Sequence, residues 1–216
     1  MDLETYRSRW PEEASSPGWD VIDSALAAVY GDQTPKHYAP ALHAALGGPD
    51  PIDGISLYRS TAGGVAHLHL VTYGFSQLYY DEALLGKPYS RFGFELTLRL
   101  RQDPADDEMP SWAINMAQNI ARYVFKSGRW FEPGHCMPAN GPLKIGDPTA
   151  LVGVAFDIDP ELGVIETPHG EVQFLQMFGI TQAELDRMKA GEIDVRGLLA
   201  EHRATNPLLV TDLARP

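Results

Sequence analysis

Three stretches in the first half of the chain alternate with a period of two or nearly so: ISLYR at 55–59, AHLHLVTY at 66–73 and FGFELTLRL at 92–100. They are enriched in β-branched and aromatic residues. That pattern marks strands, because successive strand side chains point to opposite sides of a sheet. Helical spacing flanks them. SPGWDVIDSALAAVYG sets Ile22, Leu26, Val29 and Tyr30 on one side of a helix, with Pro17 at its start and Gly31 just past its end. SWAINMAQNIARYVFKSG sets Trp112, Met116, Ile120, Tyr123 and Val124 on one face, with Ser111 as the expected N-cap.

The second half repeats the mixture. A glycine- and proline-rich loop covers 131–150, with a short strand expected near Cys136. LVGVAFDID reads as a buried strand, and GVIETPHGEVQFLQMFGI as a hairpin turning near Pro168-His169-Gly170. TQAE at 181–184 is a capping box opening a helix through Met188, closed by Gly191. A helix near 195–202 and a strand LLVTDL follow, and a short apolar segment, YAPALHAALGG, precedes the first strand. Hairpin connections predominate and no regular βαβ alternation is present. The expected class is α+β: a mostly antiparallel mixed sheet with helices packed on its face and ends. A chain of 216 residues fits one domain, taken as 17–216, with the polar, unpatterned residues 1–16 as a flexible N-terminal arm.

Composition narrows the function classes. With 29 acidic and 17 basic side chains the net charge is −12, which opposes nucleic acid or an anionic membrane as partner. No apolar run is long enough to span a bilayer, and MDLETYRSRWPEE lacks the apolar centre of a signal peptide. One cysteine excludes an internal disulfide and suits a reducing compartment, so the expected location is cytoplasmic.

Candidate chemistry is sparse. His67 and His69 share one side of a strand, a spacing that can hold one zinc ion, but zinc needs a third protein ligand. His135 or Cys136 could supply it only if the fold brought them close. The competing reading places the two histidines half-buried and hydrogen-bonded beside Tyr73, with no metal or cofactor. Cys136 as a nucleophile is weak, since the adjacent His135 points the other way on an extended chain. Phosphate-binding glycine loops and the G-x-S-x-G elbow are absent, and the acidic run DPADDEMP has no calcium-loop pattern. No catalytic residue is assigned. A cluster of aromatics, by contrast, falls at the end of one strand and in the loop after it: Tyr73, Phe75, Tyr79, Tyr80 and Tyr89. With Asp81, Glu82, Lys87 and Arg91 as a charged rim, Tyr73, Tyr79 and Tyr80 form the expected partner-binding surface, tyrosine and arginine being over-represented at binding hot spots.

Taken in order, GGPDPIDGISLYR, HLHLVTYGFSQLYY, RFGFELTLRL, ARYVFKSG and PHGEVQFLQMFGI closely resemble the suppressor of fused family. GWDVIDSALAAVY and LLVTDL fit as well, so the resemblance runs from about Gly18 to Leu213. It implies the N-terminal domain of that family. Its animal members are non-enzymatic cytoplasmic regulators of Hedgehog signalling that hold a short extended segment of Gli-type transcription factors between two domains. It further implies that the HLHLVTYG strand and the Tyr79 loop lie on a partner-binding side, Tyr79 matching a tyrosine of the animal groove. Lys87 stands where that groove has an acidic residue. Compact bacterial members have been proposed as immunity proteins that neutralise toxins. The expected function is therefore a non-enzymatic protein-binding domain, with a basic toxin domain as candidate partner. The alternative is a metal-dependent enzyme built on His67 and His69.

Overall fold

The computed structural model describes residues 1–216 except Glu12, Glu13, His43 and Pro104. Those parts of the N-terminal arm, of the apolar segment YAPALHAALGG and of the acidic DPADDEMP turn lie outside the described residues. The described elements run α1 (Leu3–Arg9), α2 (Pro17–Tyr30), β1 (Lys36–Tyr38), β2 (Gly54–Ser60), β3 (His67–Tyr73), β4 (Tyr89–Arg101), α3 (Ser111–Ser127), β5 (Cys136–Pro138), β6 (Leu151–Ile158), β7 (Val164–Thr167), β8 (Gly170–Thr181), α4 (Gln182–Lys189) and α5 (Val195–Arg203). The strands form one mixed sheet in the order β1-β2-β3-β4-β8-β6-β5, with β7 also paired to β8. β4 with β8 is the one parallel pair among these strands, so the α+β, mostly antiparallel architecture expected from the sequence is the one observed. Both outer strands are only three residues long, and β5 ends in Pro138, which limits pairing with another chain.

Each face of the sheet buries a helical layer. On one side α3 lays Ala113, Ala117, Ile120, Ala121 and Val124 over Leu70, Leu96, Leu98 and Met177. The small residues at 113, 117 and 121 let the helix approach the sheet closely. On the other side α2 lays Ile22 and Leu26 over Tyr58, Val71, Tyr73 and Phe174, while α4 and α5 cover Ala155, Phe178 and Ile180. β3 is consequently buried along its whole length. β6 and β7 follow one line along β8, interrupted by residues 159–163. The chain leaves after Asp159 N donates to Phe174 O and returns where Phe174 N donates to Gly163 O (2.8 and 2.9 Å).

Several local expectations are corrected. Residues 1–16 do not form a loose arm throughout: Asp2 caps α1, and Tyr6 is fully buried while Trp10 is nearly so. Tyr6 stacks on Tyr80 at 4.7 Å, its hydroxyl lies 2.8 Å from His169 Nε2, and Trp10 Nε1 donates to Asp20. Seven residues with a single buried side chain leave too short a periodic signal to read. Ser111 is the first helical residue rather than the N-cap, a place taken by Pro110. Tyr123 is exposed, because the α3 stripe that faces the sheet is the small-residue one. Among the described residues, LLVTDL joins the sheet through an isolated bridge between Thr211 and Leu100 rather than as a strand. The capping box, by contrast, is complete, with Thr181 and Glu184 bonded reciprocally.

If Tyr6 is the anchor of α1, Tyr6→Ala frees that helix without unfolding the sheet. Hydrogen exchange of amides 3–9 then rises to the rate of an unstructured peptide while β3 and β4 stay protected. Unchanged protection over 3–9 would place the anchor elsewhere.

Candidate functional site

The two histidines belong to the core. His67 and His69 are both buried, not half-buried, and their partners are Tyr30 and Arg99 rather than Tyr73. Neighbours in the network dictate their tautomers. His67 Nδ1 lies 2.7 Å from Val65 O and must donate, so Nε2 accepts from Arg99 Nη1 at 3.1 Å. His69 Nε2 faces the Asp159 carboxylate at 3.0 Å and carries the proton, so Nδ1 accepts from the Tyr30 hydroxyl at 2.6 Å. Burial pushes both imidazoles down, which keeps them neutral. The ring nitrogens face Val65 O, Arg99, Asp159 and the Tyr30 hydroxyl, and the Arg99 guanidinium lies against His67 and both carboxylates. No lone pair is left for a metal. His135 and Cys136 are remote, on the β5 side, and burial pushes the Cys136 thiol up, away from the reactive thiolate.

Asp159 is the hub of this cluster. It accepts from Thr97 Oγ1, from Arg99 Nη2 and from the backbone N–H groups of Glu161 and Leu162, at 2.9–3.2 Å. Burial alone would raise its carboxyl. His69, Arg99 and the Leu162 N–H outweigh that and hold it well below the usual carboxylate range. Arg99 also reaches Glu161 at 2.8 Å.

A second buried carboxylate shapes the surface loop. Glu95, on the same face of β4 as Thr97 and Arg99, accepts from Thr72 Oγ1, Gly74 N, Ser76 N and Ser76 Oγ at 2.6–2.9 Å. Burial raises this carboxyl and the four donors oppose it. The turn it holds needs Gly74: φ is 133°, and a Cβ there would come within 2.9 Å of Asp53 N. Beyond this anchored turn Leu78 points back into the core and Tyr79 outward.

Among the surface residues expected from the sequence, the structure brings some together and separates others. Tyr79 is 45% exposed. Its phenol is pushed up by partial burial and by its bond to Asp53. The exposed Arg91 lies near the same Asp53, donates to Gly74 O at 3.1 Å and spreads over Phe125 at 4.5 Å. Tyr79, Asp53 and Arg91 therefore share one patch. Tyr73 does not belong to it as a contact residue. It is buried, stacked on Trp19 at 4.4 Å, and its hydroxyl donates to Asp23 at 2.8 Å. Tyr80 and Glu82 are turned toward α1: Tyr80 stacks on Tyr6, and Glu82 pairs with Arg7 at 2.7 Å. Arg7 and the Tyr80 hydroxyl hold the Glu82 carboxyl down at about 2. Asp81 caps the turn Glu82–Leu84 through Ala83 N. Lys87 lies beside Pro168 and Trp10, lining a groove between α1 and the β7–β8 turn. Sequence reasoning missed Asp53 and Trp19. Asp53 sits in a proline-glycine turn and Trp19 on a helix, and no spacing links either to Tyr79.

The sheet thus buries a polar network and carries an exposed aromatic on a braced loop. A family model for suppressor of fused protein matches residues 48–216. The suppressor of fused homologs of Homo sapiens and Mus musculus are each 33% identical over 212 residues, covering 92% of this chain and 43% of theirs. The chain thus spans less than half the length of these relatives. Among solved structures, a chain of the Sufu–Fu complex superposes with a TM-score of 0.83 at 31% identity, covering 94% of this chain and 92% of that one. Drosophila Suppressor of Fused gives 0.83 and 31%, over 95% of this chain and 52% of that one. A putative homolog from Neisseria gonorrhoeae gives 0.61 at 14% identity and shares the fold, over 92% and 95%. The chain belongs to the suppressor of fused family, a regulatory, protein-binding family rather than an enzyme family.

The neutral buried histidines make stability pH-dependent. In the unfolded chain each protonates as pH falls through about 6.5, while in the fold each stays neutral to lower pH. The unfolded state then binds more protons, so stability drops as pH falls below about 6.5, approaching about 1.4 kcal/mol per pH unit for each histidine. Asp159, depressed in the fold, adds stability above the unfolded value of 3.8 that is lost further into acid. Urea unfolding at a series of pH values between about 5 and 8 should show this slope, reduced by close to one proton in His69→Gln. A flat profile would refute the neutral tautomers.

Proposed function

We propose that this chain is a non-catalytic domain that binds a polypeptide partner through the face centred on Tyr79, with Asp53 and Arg91 beside it. The observation that carries the reading is that Tyr79 is a large, exposed aromatic on a loop braced from beneath by Glu95. Such a residue offers contact area at little entropic cost. Of the wider set read from the sequence, Asp81 and Lys87 form the outer rim, whereas Tyr73, Tyr80 and Glu82 act by holding the face in shape.

The net charge of −12 favours a basic partner through long-range attraction. A compact family member acting as an immunity protein, neutralising a basic toxin domain, fits that charge. No helix of the described residues is long and apolar enough to cross a membrane. The single half-buried cysteine suits action in the cytoplasm.

Tyr79→Ala tests the location. It should weaken the partner by about 1–2 kcal/mol, roughly tenfold or more, with the unfolding midpoint unchanged. The assay is capture from the native lysate followed by titration of the captured partner. Tyr80→Ala serves as a contrast, since it should loosen α1 and lower stability. Equal affinity of wild type and Tyr79→Ala would move the contact face elsewhere.

A further inference from the structure

Next to this face, between α2 and the β1–β2 edge, a surface cavity of about 390 Å³ is lined by Trp19, Asp23, His37, Ser56 and Tyr58, among others. Its floor is polar and fixed. Ser56 and Tyr58 are buried, His37 Nδ1 lies 2.9 Å from Ser56 Oγ, and the Tyr73 hydroxyl below donates to Asp23 Oδ1 at 2.8 Å. Its rim is aromatic, with the Trp19 and His37 rings 5.5 Å apart. Gly54 makes that closure possible: a Cβ there would stand 2.5 Å from the His37 ring and 3.1 Å from Trp19. The Ser56–His37 pair is not a relay, because the carboxylate bonds to Tyr73 rather than to His37.

The charge of the cavity is unbalanced. Asp23 is the one acidic or basic residue besides His37 among the described lining residues, and it forms no ion pair with a described residue. Burial pushes the His37 imidazole down, so it does not supply the missing positive charge at neutral pH. A carboxylate, an indole and hydroxyl acceptors in one cavity repel an anion. They offer a flat cation both a ring to stack on and oxygen atoms to donate to. Guanidinium meets this better than ammonium, being planar, weakly hydrated and a donor in several in-plane directions.

We propose that this cavity receives the guanidinium of an arginine side chain presented by a protein partner, with Asp23 as its counter-charge and Trp19 as its stacking surface. The source of the arginine rests on the protein-binding reading. The affinity of the cavity for the group does not.

The test uses the intact chain and small probes. The Trp19 indole N–H resonance, assigned by its loss in Trp19→Phe, is followed during titration with Nα-acetyl-arginine amide. Nα-acetyl-citrulline amide, which has nearly the same shape and no charge, is the control. Arginine should shift the resonance saturably in the millimolar range. Citrulline, and arginine added to Asp23→Asn, should bind at least about tenfold more weakly. The asparagine oxygen still accepts from Tyr73, so the floor survives that change. No saturable shift with arginine, an equal response to citrulline, or undiminished binding by Asp23→Asn would each overturn the proposal. Partner capture lost in Tyr79→Ala, together with no response to arginine, would overturn the cavity and leave the protein-binding face standing.

Discussion

Arg99 and Asp159 meet where four parts of the fold converge, and neither is exposed to solvent. Asp159 is the point at which the β6–β7 line leaves the sheet, and its carboxylate also organises the excursion through the Glu161 and Leu162 N–H groups. Arg99 belongs to β4, His67 and His69 to β3, and Tyr30 to the end of α2. The network thus sets the relative positions of two central strands, one irregular segment and one covering helix. Removing a single partner from a buried pair of this kind costs about 3–5 kcal/mol, because the remaining charge is stranded. Two donors of the cluster, Arg99 Nε and His69 Nε2, make no well-aligned hydrogen bond among the described residues, and His69 Nε2 meets Asp159 as a 3.0 Å electrostatic contact. Such a cluster is better understood as a register device than as a large net source of stability.

The same strand carries the influence outward. Glu95, Thr97 and Arg99 lie on one face of β4, so the strand that anchors Asp159 through Thr97 and Arg99 braces the 74–76 turn from Glu95 at its middle. The loop that presents Tyr79 therefore begins at a buried carboxylate with four donors rather than in solvent. An exposed aromatic held this way loses little freedom on binding, which is the physical advantage of a loop on a rigid sheet. Tyr73 couples the two regions further, since its hydroxyl reaches Asp23 while its backbone carbonyl accepts from Asp53 N.

Much of the architecture was legible in the chain. The limits of α2 were marked by Pro17 and Gly31, the start of α4 by its capping box, and the β7–β8 turn by Pro168 and His169. These are local effects, settled by dihedral preference and neighbouring hydrogen bonds. Long ordered motifs also carried the family resemblance. The site was only partly legible. Tyr79 was recognisable as an aromatic in a turn-rich loop, but Tyr73, one strand-end earlier, has the same composition around it and is buried.

What the sequence determined by itself was the set of elements, their class and the aromatic-rich loop, because periodicity and caps act over a few residues. What only tertiary structure decided was which face each polar side chain meets. Alternation along β4 places Glu95, Thr97 and Arg99 opposite the apolar set, where solvent would be expected. α2 and residues 159–163 cover that side and turn it into a second core. His67 and His69 became structural for the same reason, and Asp53 joined Tyr79 only when β2 and the loop were packed together. Burial by distant segments leaves no local pattern, since the energy that drives it comes from surfaces far apart in the chain.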